Sequence, residues 1–346
     1  MTEKAGLTGM AQNYYTMGVA VGDYDNDGFE DTYVTGYGGN TLYHHNEDGT
    51  FAPSRAGVSA GGWSASAGFF DYHNHGNLDL FVTRYVHWSL RNNRYCGEQK
   101  PGLRAYCHPD NFKGGTNILY HNNGDGRRFR GGWYRQSSRQ GIELSFAGYD
   151  GDGFTEIFVA NDSVPSFLYH NNGNGTFTEV GLPAGVAYKE DGKAFAGMGI
   201  DFSDFDNDGR PDIIVTDLSN ERYHLFHYNG DGSFRDVTNS SGLGGATFAV
   251  SGWSTHLFDY DNDGWKDLFV AQGHVMDTIE QTSPNMKYLE PPLLLKNGSG
   301  RFVRVLAGDI FQKEWAGRGA AFGDIDSHGD LDIVVSNVGQ SLHPAK

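Results

Sequence analysis

A nine-residue loop of the form D-x-D-x-D-G-x-x-D, complete or degenerate, recurs six times along the 346 residues. A chain built on one recurring bend folds as an array of like units. The copies read DYDNDGFED from Asp23, DYHNHGNLD from Asp71, GYDGDGFTE from Gly148, DFDNDGRPD from Asp204, DYDNDGWKD from Asp259 and DIDSHGDLD from Asp324. First positions lie 48, 77, 56, 55 and 65 residues apart, so the period is about fifty, with insertions in the second and fifth intervals. The runs TYVTG, LFVTR, IFVAN, IIVTD, LFVAQ and IVVSN follow the loops. They are too short for helices and rich in β-branched residues, which reads as buried strand. Apolar, Gly-spaced segments such as MGVAVGDYD and AGMGIDFSD come before the loops, so each loop joins two strands.

Five units carry a third signature: LYHHNEDGTF, LYHNNGDGRRF, LYHNNGNGTF, LFHYNGDGSF and LLLKNGSGRF. Here Asn-Gly and Asp-Gly turns separate two more strand-like pieces. Each unit therefore supplies about four short antiparallel strands. The expected fold is all-β: a β-propeller of four-stranded antiparallel blades with six metal-loop repeats, closing with six or seven blades. A β-solenoid is the rival, but its repeats are shorter. We expect one domain over residues 1–346, with insertions at about 84–115 and 274–292. The 50 glycines among 346 residues fit such a turn-rich chain.

Asp at alternate positions, Gly for a sharp bend and a fourth carboxylate at position nine wrap oxygen ligands around one hard cation. Position seven lends a backbone carbonyl. An EF-hand opens the same way but needs Glu at position twelve and flanking helices. Position twelve is Val34, Val215 and Val270 in the three complete copies, inside strands, so that reading fails. The expected calcium sites are Asp23, Asp25, Asp27, Phe29 and Asp31; Asp204, Asp206, Asp208, Arg210 and Asp212; and Asp259, Asp261, Asp263, Trp265 and Asp267. Weaker sites are expected at Asp324, Asp326, Asp330 and Asp332, where His328 replaces a carboxylate, and at Asp150, Asp152 and Glu156, which lack the first Asp. The loop from Asp71 has His73 and His75 in place of two carboxylates and is expected to bind no calcium. For it, a softer metal on His73, His75 and Asp79 and a degenerate turn with solvent-facing histidines are both open. Without any metal, all these loops read as Asp/Asn-rich turns with side-chain caps.

The formal charge of −17 repels phosphate backbones and anionic lipid, which argues against nucleic-acid partners. No apolar run is long enough to span a bilayer, and MTEKAGLTGMAQ has neither the basic start nor the apolar core of a secretion signal. Cys96 and Cys107 are the two cysteines, 11 residues apart; a local disulfide and two free thiols both remain open.

The units resemble FG-GAP repeats, also called VCBS repeats. The ordered segments RYCGEQKPGLRAYCHPDNF, FVANDSVPSFLYHNNGNGTF, GVAYKEDGKAFAGMGIDFSDFDNDG, AQGHVMDTIEQTSPNMKYLEPPLLLKNG and WAGRGAAFGDID look like the ASPIC/UnbV group, the bacterial relatives of cartilage acidic protein 1. The resemblance covers essentially the whole chain. It implies an exported, calcium-binding, interaction-related propeller, typically seven-bladed and followed by a small ASPIC/UnbV domain. It implies calcium ligands at the three complete loops and a disulfide between Cys96 and Cys107. At its ends the chain departs from the group. MTEKAGL reads as the last strand of a preceding blade, and SNVGQSLHPAK stops where the ASPIC/UnbV domain is expected, so that domain is absent from this sequence. Either six blades close or a partner segment fills a gap, which makes assembly through an incomplete blade an expected outcome.

His44, His121, His170 and His227 recur at one place in the third strand and are expected in structural or surface roles, because equivalent positions on different blades lie apart. His108, His274 and Arg318, with Arg84, Asp162 and His256, are expected to line a polar pocket where insertions fold over one mouth. No spacing there specifies a triad or a zinc motif. Trp63, Trp253 and Trp315 are expected in packing between blades, with sugar stacking the alternative. The expected function is a calcium-stabilised module binding a protein or glycan, extracellular or periplasmic, against an enzyme using the central funnel or a structural subunit of a larger assembly.

Overall fold

The computed structural model describes residues 8–10, 14–126, 128–133, 139–306, 308–339 and 343–345. MTEKAGL lies outside the described residues, as does part of SNVGQSLHPAK. Contacts gather the chain into two compact units, Met1–Asn93 with His108–Val180, and Arg94–Cys107 with Gly181–Lys346.

The first unit holds three four-stranded antiparallel sheets. Their strands are Tyr15–Gly22, Asp31–Tyr37, Thr41–His45 and Phe51–Pro53; Ser64–Phe70, Asp79–Arg84, Ile118–Asn122 and Phe129–Trp133; and Gly141–Ala147, Glu156–Asn161, Phe167–Asn171 and Phe177–Glu179. The second unit holds two more, Ile200–Ser203, Asp212–Val215, His224–Tyr228 and Phe234–Asp236, then Gly252–Phe258, Asp267–Gln272, Leu293–Asn297 and Phe302–Arg304. A sixth sheet pairs Gly317–Gly323, Asp332–Asn337 and His343–Ala345. Every sheet is ordered as the chain runs, the meander of a propeller blade.

The first expected insertion forms a hairpin of Cys96–Gly97 with Arg104–Ala105 and a 3-10 turn over Pro109–Asn111. The second carries a helical turn at Ile279–Thr282. No described helix is long and apolar enough to cross a membrane.

The uninterrupted apolar runs have a packing cause. Tyr33 and Leu42 of the first sheet bury against Leu80, Val82 and Ile118 of the second, while Phe81 and Leu119 face Ile157, Val159 and Tyr169 of the third. Ile214 and Leu225 meet Leu268, Val270 and Leu295 in the second unit. Second strands are thus buried on both faces and lose the polar alternation of a surface strand.

Each first strand except the fourth sheet's contains a bulge where pairing slips by one residue. In the first sheet Thr35 Oγ1 fills that gap, accepting from the Gly18 amide at 2.9 Å and donating to the Ala65 carbonyl of the next sheet at 2.9 Å. In the fourth sheet Thr216 makes the matching pair of bonds, its Oγ1 accepting from the Gly199 amide at 2.7 Å and donating to the Trp253 carbonyl at 3.0 Å. A Cβ on Gly199 would sit 1.8 Å from the Trp253 carbonyl oxygen, so the close approach requires glycine.

Candidate metal centres

The six bends share one backbone, set by side chains that cap it locally. Asp23 accepts from the Asp27 and Gly28 amides at 3.1 and 2.8 Å, Asp204 from Asp208 and Gly209 at 3.1 and 2.8 Å, and Asp259 from Asp263 and Gly264 at 3.0 and 2.8 Å. Asp324 repeats this with His328 and Gly329 at 3.1 and 2.9 Å. Position four is left-handed in every copy: Asn26, Asn74, Asn207, Asn262 and Ser327 have φ between 56° and 59°, and Gly151 has 75°. Asn is the side chain that tolerates this region best after Gly.

Position nine opens the second strand and is buried in all six loops. Asp31 accepts from the Tyr24 and His45 amides at 3.3 and 2.9 Å. Asp212 accepts from Phe205 and Tyr228 at 3.2 and 2.9 Å, and Asp267 from Tyr260 and Asn297 at 3.2 and 2.7 Å. Adjacent bends are tied: the Asn26 amide group donates to the Gly76 carbonyl at 3.1 Å, Asn74 to Gly153 at 2.8 Å and Asn207 to Gly264 at 2.9 Å.

The third-strand histidines share no common site. Each turns into the loop of its own sheet. His44 Nδ1 lies 3.2 Å from Asp31 and 3.4 Å from Asp25, and its Nε2 lies 3.8 Å from Asp27. His227 Nδ1 stands 3.2 Å from both Asp206 and Asp212, and His170 Nδ1 stands 3.1 Å from Asp150. The cause is register. Thr32 pairs with Tyr43 and Ile213 with Phe226, so the next residue along the third strand falls opposite position nine. In the fifth sheet that place is held by Lys296, whose ammonium contacts Asp261 and lies 3.0 Å from Asp263.

The acidic loops fit a hard divalent cation. Asp25 Oδ1, Asp206 Oδ1 and Glu156 Oε1 are buried without a hydrogen-bond partner, and such oxygens are costly unless an ion satisfies them. Burial, with neighbouring carboxylates adding to it, raises Asp25, Asp31 and Asp206 above the usual range, Asp212 to about 7 and Glu156 to about 8. Calcium would be held by the position one, three, five and nine carboxylates with the Phe29, Arg210 and Trp265 carbonyls. The amides of those three residues donate to Asp27, Asp208 and Asp263 at 2.9, 2.9 and 3.0 Å. The sixth loop is more open: Asp324, Asp326 and His328 group at its exposed surface beside Asp330, and Asp332 lies beneath.

Cys96 and Cys107 form a disulfide with Cα atoms 5.2 Å apart. His274 and Arg318 come together in the second unit. The Arg318 guanidinium lies 4.2 Å from the Trp253 ring and donates to the His274 carbonyl at 2.9 Å. Buried His274 accepts the Met276 amide at 3.0 Å. His108 belongs to the first unit, exposed, where its ring caps the turn at Pro109. Arg84 donates to the Gly61 carbonyl at 2.5 Å, Tyr85 donates to Asp162 at 2.6 Å, and His256 lies 2.9 Å from Asp201. Trp315 is buried, as packing required. One constellation had no sequence signature: buried His224 sits between Asp217 and Asp236, at 3.5 and 3.4 Å, beside a cavity of about 300 Å³.

A family model described as FG-GAP-like repeat matches residues 23–82, 148–215 and 204–270, more than half of the chain. Cartilage acidic protein 1 of Mus musculus is 28% identical over 192 residues, which is 54% of this chain and 27% of the relative. The Homo sapiens protein of that name is 27% identical over 192 residues, 54% of this chain and 26% of the relative. The chain spans about a quarter of the length of these curated relatives. Among solved structures, a Bacillus licheniformis rhamnogalacturonan lyase superposes with a TM-score of 0.46 at 16% identity, covering 93% of this chain and 55% of that one. An Agrocybe aegerita lectin that recognises non-reducing terminal N-acetylglucosamine superposes with a TM-score of 0.38 at 18% identity, covering 87% and 82%.

Proposed function

Since the chain belongs to the FG-GAP-like repeat family, we propose that it is a calcium-stabilised, exported propeller serving as an interaction module for a protein or glycan. The observation that carries the calcium reading is the set of buried carboxylate oxygens without donors, repeated at equivalent bends. Calcium bound there would neutralise repelling carboxylates and hold the bends at one edge of each sheet. The cation then has a structural task, and recognition falls to insertions such as the disulfide-closed hairpin at Cys96–Cys107. A disulfide suits an oxidising compartment, which supports export.

The test is a binding screen of extracellular glycans and proteins against the immobilised chain, with and without a calcium chelator. Retention that needs calcium, with the captured molecule recovered unchanged, is the expected result. Conversion of the captured molecule, or retention indifferent to chelation, contradicts the reading.

A further inference from the structure

One bend offers a different set of donor atoms on the same backbone. In the loop from Asp71, positions three and five are His73 and His75, and the third strand adds His121. Single ligand atoms from His73, His75, His121 and Asp79 all lie within 4.8 Å of one another. The ring centroids stand 5.3 Å apart for His73 and His75, 4.8 Å for His73 and His121, and 5.6 Å for His75 and His121. Asp79 is fully buried. Its Oδ1 accepts the Asn122 amide at 2.7 Å and faces His121 Nδ1 at 2.9 Å. Its Oδ2 has no hydrogen-bond partner and lies 3.8 Å from His73 Nδ1, which is also buried and lacks a hydrogen bond. A buried carboxylate oxygen without a donor therefore points into a trio of imidazoles.

We propose that His73, His75, His121 and Asp79 form a four-coordinate site for a borderline-soft divalent transition metal of the zinc class. Three imidazole nitrogens and one carboxylate oxygen are the donors such an ion prefers, whereas calcium takes six to eight oxygens. Zinc–nitrogen bonds of about 2.0–2.1 Å put tetrahedral ligand atoms roughly 3.3 Å apart. The present envelope closes to that by rotation of side chains that are about one-third exposed: His73 at 30%, His75 at 33% and His121 at 34%. The bend itself is already built, since Asp71 accepts the Gly76 amide at 2.6 Å and Asn74 holds φ 56°. Four protein ligands fill the coordination sphere, so the ion braces the sheet and leaves no open position for a substrate. Neither cysteine competes for it, because both are in the disulfide. The site stands on these four residues and does not depend on calcium binding elsewhere.

The experiment is a Co²⁺ titration of the metal-free, untagged chain in excess calcium, followed by Zn²⁺. One equivalent of cobalt should give the visible absorption bands of a tetrahedral nitrogen-rich site, bleached by one equivalent of zinc. His121→Ala, and separately the pair His73→Asn with His75→Asn, should abolish the bands. Both should weaken zinc binding at least about a hundredfold, the upper end of what loss of an outer-shell partner costs, while His87→Ala, at an exposed histidine away from the loops, leaves both unchanged. Zinc-edge X-ray absorption on the unaltered protein reads the site without any variant and should show three imidazoles. Absence of the bands in the unaltered chain, bands that survive both variants, displacement by calcium, or a zinc shell without imidazole scattering overturns the proposal.

Discussion

The bends from Asp23 and Asp71 are neighbours in one unit and differ in donor atoms, not in path. Asn26 and Asn74 have φ 59° and 56°, and Gly28 and Gly76 have φ 91° and 84°. Asp31 and Asp79 are both buried and both accept an amide from the third strand, at 2.9 and 2.7 Å. His44 and His121 occupy the same place opposite them. Of the side chains that offer donor atoms at positions one, three, five and nine, those at three and five change, from Asp25 and Asp27 to His73 and His75; positions seven and eight also differ, Phe29 and Glu30 against Asn77 and Leu78. Positions one, four, six and nine thus build the bend, and positions three and five set which donor atoms face the loop.

The largest expected effect tests the shared part. Asp31→Ala strips the acceptor from two amides, one buried and one half-buried, and Asp79→Ala strips it from an amide and His121. Each should cost about 3 kcal/mol in the metal-free protein, read from urea unfolding. Losses differing more than about twofold would break the equivalence.

The second effect tests the divergent part. Converting the second bend to the first, His73→Asp with His75→Asp, should add one calcium equivalent. At a hundredfold excess over Kd that stabilises the fold by about 2.7 kcal/mol. An unchanged calcium count would show that these two positions do not decide the ion.

Acidity sharpens the comparison further. In the metal-free chain burial holds Asp212 near 7 and Glu156 near 8, against unfolded values close to 4. The folded state then binds protons more tightly than the unfolded one. Stability is fullest below pH 4 for these groups and declines as pH climbs from about 4 to 8. Melts of chelated protein across that range should fall by a few degrees, while calcium-loaded protein should hold level. A chelated protein that gains stability across that interval would contradict the assignment. The smallest effect concerns the fifth sheet, where Lys296→Met removes a competing ammonium. Calcium affinity there should rise about tenfold, ~1.4 kcal/mol, by calorimetry; weaker binding would make Lys296 a supporting partner instead.

The repeat period, the four strands per unit and the carboxylates of the bends were legible because each is written locally. What escaped is set by pairing. His44, His121, His170 and His227 looked like scattered ring positions until the antiparallel register set each opposite its own position nine. Their fixed place after the Leu-Tyr or Leu-Phe pair was the available sign. The ties from Asn26 to Gly76 and from Asn122 to the Tyr24 carbonyl join residues far apart in the chain, and no local pattern reports them. His224 between Asp217 and Asp236 escaped for the same reason, since three separate segments bring them together.

Calorimetric titration of calcium into the decalcified chain, paired with melts before and after, bears most directly on why the acidic bends exist. At least three equivalents should bind, from the Asp23, Asp204 and Asp259 loops, and the melting temperature should rise with them. No heat at millimolar calcium together with superimposable melts would mean that these bends are capped turns and nothing more.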